Sequence, residues 1–138
     1  MNIRTWRTYF SYEVCVMKVI VTKFFEKYLK KNAPALDIQD LVSRIQIESK
    51  NFISLKQPFV KIKIKLGNKT YRLLIVFDKQ DVIILFVNIF DKKDKVFWEN
   101  LNWDLHKKYI LEWRDKNMEC IKKWEYYTVR GKWIIVKK

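Results

Sequence analysis

Glycine, proline, cysteine and histidine are all scarce in this chain: two glycines, two prolines, two cysteines and one histidine among 138 residues. Each shortage excludes something. Gly67 and Gly131 lie too far apart for a phosphate loop of the GxxxxGK type, two glycines are too few for a GxGxxG turn, and HExxH and paired-cysteine signatures are also missing. A single histidine and no GxSxG argue against a Ser-His-Asp or Cys-His hydrolase. Cys15, Cys120 and His106 fall short of the four ligands of a tetrahedral zinc site, so no metal and no other cofactor is expected. The two thiols lie far apart in sequence and are expected to be buried and unreactive in a reducing compartment. His106, beside Lys107 and Lys108, is expected on a solvated surface. The longest apolar tract, Val82 to Phe90, is nine residues interrupted by Asn88, well below the roughly 18 that span a bilayer. No secretory core is visible at the N-terminus, so a cytoplasmic location without membrane contact is expected.

Acidic residues are the other deficit. Fifteen Asp and Glu stand against 29 Lys and Arg, a formal charge of +14. Nucleotide bias in a genome would enrich lysine, but it would raise glutamate as well. The imbalance therefore points to a polyanionic partner. Forty-nine per cent of the residues are hydrophobic, enough for a core, and the length fits a single domain over 1–138.

Along the chain, residues 1–16 are aromatic without a helical period and read as an appendage or an extra strand. Met17 to Val21 has strand character. Thr22 can cap a helix burying Phe24, Phe25, Tyr28 and Leu29, which Asn32-Ala33-Pro34 stops. Asp37 can cap a second helix, with Ile38, Leu41, Val42 and Ile45 on one face. From Phe59 the period becomes two. Ile62, Ile64 and Leu66 alternate with Lys61, Lys63 and Lys65, a half-buried strand with a lysine face. Gly67-Asn68-Lys69 turns into a strand from Tyr71 to Phe77, and Val82 to Phe90 is apolar enough to be central. Asn102 can cap a closing helix with Leu105, Tyr109, Ile110 and Trp113 along one side. Trp124 to Val129 and Lys132 to Val136 read as a hairpin around Arg130-Gly131. The expected fold is α+β: two N-terminal helices packed on an antiparallel sheet, a closing helix and a C-terminal hairpin extension.

The residues with chemical potential are the cations. Lys61, Lys63 and Lys65 project from one side of one strand at roughly 7 Å intervals, close to the spacing of successive phosphates. A solvated, lysine-protected strand edge would look the same. Arg72 separates the two, because it sits between core-type residues on what should be an inner strand. An unmet guanidinium there costs on the order of several kcal/mol.

The run Met17-Lys-Val-Ile-Val-Thr-Lys-Phe-Phe-Glu-Lys-Tyr-Leu-Lys-Lys, then Val60-Lys-Ile-Lys-Ile-Lys, then Tyr71-Arg72-Leu-Leu, then Val82 to Phe90 running into Asp91-Lys-Lys-Asp, resembles the RelE/ParE superfamily of toxins from toxin–antitoxin pairs. The resemblance covers residues 17–116 and leaves 1–16 and 120–138 as extensions. It implies a helical pair on an antiparallel sheet and a metal-independent endoribonuclease acting on messenger RNA at the ribosome. In that chemistry the ribose 2′-hydroxyl attacks the adjacent phosphate, leaving a 2′,3′-cyclic phosphate. The resemblance assigns Lys63 and Lys65 to assisting deprotonation, Arg72 to bracing the pentavalent phosphate, and Lys92, or its neighbour Lys93, to the region of the leaving oxygen. Lys61, Lys69, Lys93, Lys95 and Trp98 are then candidate RNA contacts, with Phe97 or Trp98 as a stacking group. The implied partners are messenger RNA, the ribosome and a cognate antitoxin, covering the cationic face or wedged near Phe24 and Tyr109. Two other functions fit the same sequence: a ParE-like toxin that poisons a topoisomerase by binding, or a non-catalytic basic nucleic-acid-binding domain.

Overall fold

A computed structural model describes residues 12–45 and 52–136. Its fold is α+β, a six-stranded, mostly antiparallel sheet with four helices. The order is β1 (Tyr12–Thr22), α1 (Lys23–Asn32), α2 (Ile38–Arg44), β2 (Phe52–Lys56), β3 (Phe59–Leu66), β4 (Lys69–Asp78), β5 (Ile83–Asp91), α3 (Lys95–Asn100), α4 (Trp103–Lys122) and β6 (Tyr126–Val136). Across the sheet the strands run β2-β3-β4-β5-β1-β6. Among the described residues, only β1 and β5 pair in parallel. None of the helices among the described residues is long and apolar enough to cross a membrane.

Local chemistry fixes the helix starts. The Thr22 hydroxyl accepts from the Phe25 N–H at 3.1 Å, Asp37 and Asp40 form a reciprocal capping box, and the Asn102 carbonyl oxygen accepts from the Leu105 N–H at 2.9 Å. Each satisfies a donor that a helix start leaves without an intrahelical partner. Alternation along the strands then divides the core in two. Met17, Val19, Val21, Ile62, Ile64, Leu73, Ile75, Ile84 and Phe86 pack with Phe25, Leu29, Leu41 and Val42 of α1 and α2. The opposite face, with Leu74, Leu85, Val87 and Phe90, packs with Ile110 and Trp113 of α4. At the junction lies Asn117, fully buried on α4. Its amide donates to the carbonyls of Val87 at 3.1 Å and Trp113 at 2.8 Å, and its carbonyl oxygen accepts from the Thr22 hydroxyl.

Three expectations change. Residues 12–16 are neither an appendage nor a separate strand but the first half of β1, zipped to β6 through Tyr12↔Val136; residues 1–11 lie outside the description. The C-terminal hairpin is instead one unbroken strand, β6, running through Arg130-Gly131. Glycine stands there for space, not for a turn, because a Cβ at 131 would lie 2.8 Å from Val42 Cγ1 and 3.0 Å from Met17 Cε. Gly131→Val is accordingly expected to destabilise the fold by about 1–3 kcal/mol in urea titration, as overpacked cores do. The third change is α3 and β2, two short elements with too few periodic residues to stand out from the sequence.

Candidate nucleic-acid interface

Gly67, at φ +59°, makes the tight connection from β3 to β4 and so sets their register. That register pairs Lys65 with Thr70, Lys63 with Arg72 and Lys61 with Leu74. Directly opposed residues of an antiparallel pair point to the same side. Arg72 therefore shares a face with Lys61, Lys63 and Lys65, the face that carries Leu74 and α4. Lys63 and Lys65 are exposed, whereas Lys61 and Arg72 are half-buried. β4 lies between β3 and β5, with Phe90 opposite Arg72 on its other side.

Opposed like charges on adjacent strands are destabilising, with Cβ atoms only about 5 Å apart. Lys63 and Arg72 thus place two cationic side chains side by side on one face of the ribbon. Burial, and then the Arg72 guanidinium, hold the Lys61 amine below the ordinary lysine range. Burial likewise lowers the Arg72 guanidinium. The Lys61 ammonium donates to the Leu101 carbonyl at 2.7 Å, which fixes its nitrogen at the rim where α4 begins. A lysine shifted in this direction is more readily a general base than one in water. The sequence presents Lys61 only as an RNA contact, because nothing in the alternation reveals which lysine of the row lies against a loop.

Lys69, Lys92 and Lys93 line a cleft of about 320 Å³ at the turn end of the ribbon, together with Lys31, Asn32, Asn68, Tyr71, Asp91 and Thr70, the cross-strand partner of Lys65. There the Asp91 carboxylate accepts from the Lys93 N–H at 2.9 Å. Lys95 is exposed at the first position of α3. Trp98 lies in α3, its side chain outside the description. Phe97 is not a free stacking group: its ring packs at 5.0–5.5 Å from Trp113, His106, Phe90 and Tyr109. His106 also departs from expectation, being only 6% exposed. Its Nδ1 accepts from the Asn102 N–H at 3.2 Å, an alignment that places the neutral ring's proton on Nε2. Its position one turn into α4 carries it under Phe97, which the lysines beside it in sequence do not reveal. Cys15 and Cys120 form no disulfide among the described residues and are half-buried, not fully buried.

Among the described residues no group of three or more His, Cys, Asp or Glu side chains is arranged to hold a metal ion. No protein-family model, curated protein or solved structure matches this chain.

Proposed function

We propose that the chain binds RNA across the β3–β4 ribbon and cleaves it without a metal, in the manner of the RelE-like toxins that its sequence resembles. The observation that carries this reading is the Lys63–Arg72 cross-strand pair flanked on the same face by Lys61 and Lys65. A phosphodiester laid along the row meets point charges from the lysines and a planar fork from Arg72. The fork can take two phosphate oxygens at once and hold them as negative charge grows in the pentavalent state. Lys61, whose amine is held below the ordinary lysine range, accepts the 2′-hydroxyl proton; the 2′-oxygen bonds to phosphorus as the P–O5′ bond breaks, and the leaving 5′-oxygen takes a proton from the ammonium group of Lys63. Residues 17–116 form the toxin core in this reading, α1 and α2 are its helical pair, and the natural inhibitor is an antitoxin with an acidic segment that covers the ribbon.

A second reading, a basic domain that binds RNA without cutting it, is favoured by one placement. Lys92 and Lys93 line the cleft at the sheet end together with Thr70, the cross-strand partner of Lys65, so the cationic surface extends beyond the ribbon as a continuous binding track would. One experiment separates the two. End-labelled messenger RNA is incubated with the protein, with and without ribosomes, in the presence of a chelator. Cleavage predicts fragments with 2′,3′-cyclic phosphate ends and growth arrest on induction, both lost in Lys63→Ala/Lys65→Ala/Arg72→Ala. RNA retained intact, with affinity reduced at least about 30-fold in that variant by loss of three cationic contacts, selects the binding domain. Unchanged affinity and toxicity in the triple variant remove the ribbon from either function, and DNA damage without RNA fragments selects topoisomerase poisoning.

A further inference from the structure

The terminal strand carries a second surface that neither reading uses. α4 ends in a reciprocal C-terminal cap: Glu125 N–H donates to the Cys120 carbonyl at 2.9 Å and Trp124 N–H to the Ile121 carbonyl at 3.1 Å. The residue after such a cap adopts left-handed backbone and is usually glycine, because any Cβ is penalised there. Here it is Trp124, at φ +61°, and it is 81% exposed. A large apolar side chain thus occupies a glycine position while burying little of itself, so backbone geometry and burial alone give no reason for it. Its ring stacks on Tyr126, with planes 21° apart and centroids at 6.3 Å.

From Tyr126 onward, alternate residues of β6 share one face. Thr128, Arg130 and Lys132 are all exposed, and they stand opposite Ile20, Lys18 and Val16 of β1. Ile20 packs with the α4 core, and Thr22, opposite Tyr126, bonds to Asn117 of α4. This is therefore the same side of the sheet as the β3–β4 ribbon, with α4 between them. Lys18 and Arg130 form another directly opposed like-charge pair, and neither side chain makes a hydrogen bond or ion pair among the described residues. An aromatic step, then a threonine, then two cations along the same row, with Lys18 beside them, matches a strand of nucleotides: a base stacks on the ring, and phosphates follow along the row.

We infer that Trp124, Tyr126, Arg130, Lys132 and Lys18 form a binding face for single-stranded RNA, distinct from the β3–β4 ribbon. Stacking requires a base free of its partner, so the ligand is a single strand and not a duplex. The face stands on its own geometry and does not require that the ribbon cleave RNA.

The test is the binding of a fluorescein-labelled twelve-nucleotide uridine RNA to the full chain, by anisotropy, with thermal melting of each variant. Trp124→Gly removes the ring and restores the residue the backbone prefers. It is expected to keep or raise the melting temperature while weakening RNA binding about tenfold, the low end of one base-stacking contact. Arg130→Gln/Lys132→Gln should weaken binding and flatten the slope of log affinity against log salt by about 1.4, as loss of two phosphate contacts to a single strand does. Both effects should persist in the Lys63→Ala/Lys65→Ala/Arg72→Ala background, so that failure of the ribbon and failure of this face are read separately. Trp124→Gly that binds the RNA as tightly as the parent overturns the proposal. So does a duplex RNA that competes as well as the single strand, which would make the contact one of charge alone. Loss on Trp124→Gly of binding to phosphatidylserine vesicles, with RNA affinity unchanged, would assign the patch to a membrane surface instead.

Discussion

Trp133→Ala is expected to lower the unfolding free energy by about 3–5 kcal/mol, the range for truncating a fully buried aromatic side chain. Trp133 has no exposed surface and packs against Phe77 and Phe52, with ring centroids at 5.1 and 5.7 Å. Its indole N–H is buried without a hydrogen-bond partner among the described residues, so the ring contributes through its volume. Trp133→Phe should therefore recover most of the loss, whereas a hydrogen-bonding role would leave it as unstable as alanine. Urea titration distinguishes the two. The outcome bears on where the domain ends. A core that stopped near residue 116 would tolerate Trp133→Ala with little change, but a sheet whose last strand fills the core cannot.

The second large effect is at Asn117. Its amide satisfies two carbonyls, one on β5 and one on α4, and its carbonyl oxygen accepts from the Thr22 hydroxyl that also caps α1. Asn117→Asp keeps the shape but turns both donor contacts into repulsions between oxygens. It does so in a fully buried site, where burial raises a carboxyl pKa. The sign follows from linkage. A carboxyl whose folded pKa is raised contributes stability below its unfolded value of about 3.9, and that contribution is lost as pH rises through the folded value. The variant should thus lie nearest the parent near pH 4 and lose about 3–5 kcal/mol relative to it at neutral pH, the range for an uncompensated buried charge. A pH-independent difference, measured by chemical denaturation at both pH values, would show that Asn117 acts through shape and not through its donors.

Much of the architecture was legible because it is written in short-range signals. Thr22, Asp37 and Asn102 mark helix starts, and the Lys-Ile-Lys-Ile-Lys alternation with Gly67 identifies the β3–β4 hairpin and the face its lysines share. What was not legible depends on contacts distant in the chain. Gly131 reads as a turn until Val42 and Met17 are placed against it. His106 reads as a surface residue until Phe97 is placed over it. Within the candidate site, the row Lys61, Lys63, Lys65 is visible in the sequence, but the asymmetry that half-buries Lys61 against the Leu101 carbonyl is set by the loop before α4. Lys92 and Lys93 are candidates only through the family resemblance; they follow β5 into a cleft that also holds Thr70, the partner of Lys65. Trp124 gave no local signal, since only its backbone angle and exposure distinguish it from a core tryptophan.

The pairing of β1 with β6 sets the order of assembly. Cys15 and Trp133 meet at a sequence separation of 118, so one long flank of β1 stays open until β6 has left the ribosome. During synthesis that flank presents Val14-Cys15-Val16-Met17-Lys18-Val19-Ile20-Val21 as a template for any passing strand. The rate of maturation should therefore be limited by this late closure, a contact of high sequence separation. A protein that engages the open flank before completion would protect the nascent chain from self-association.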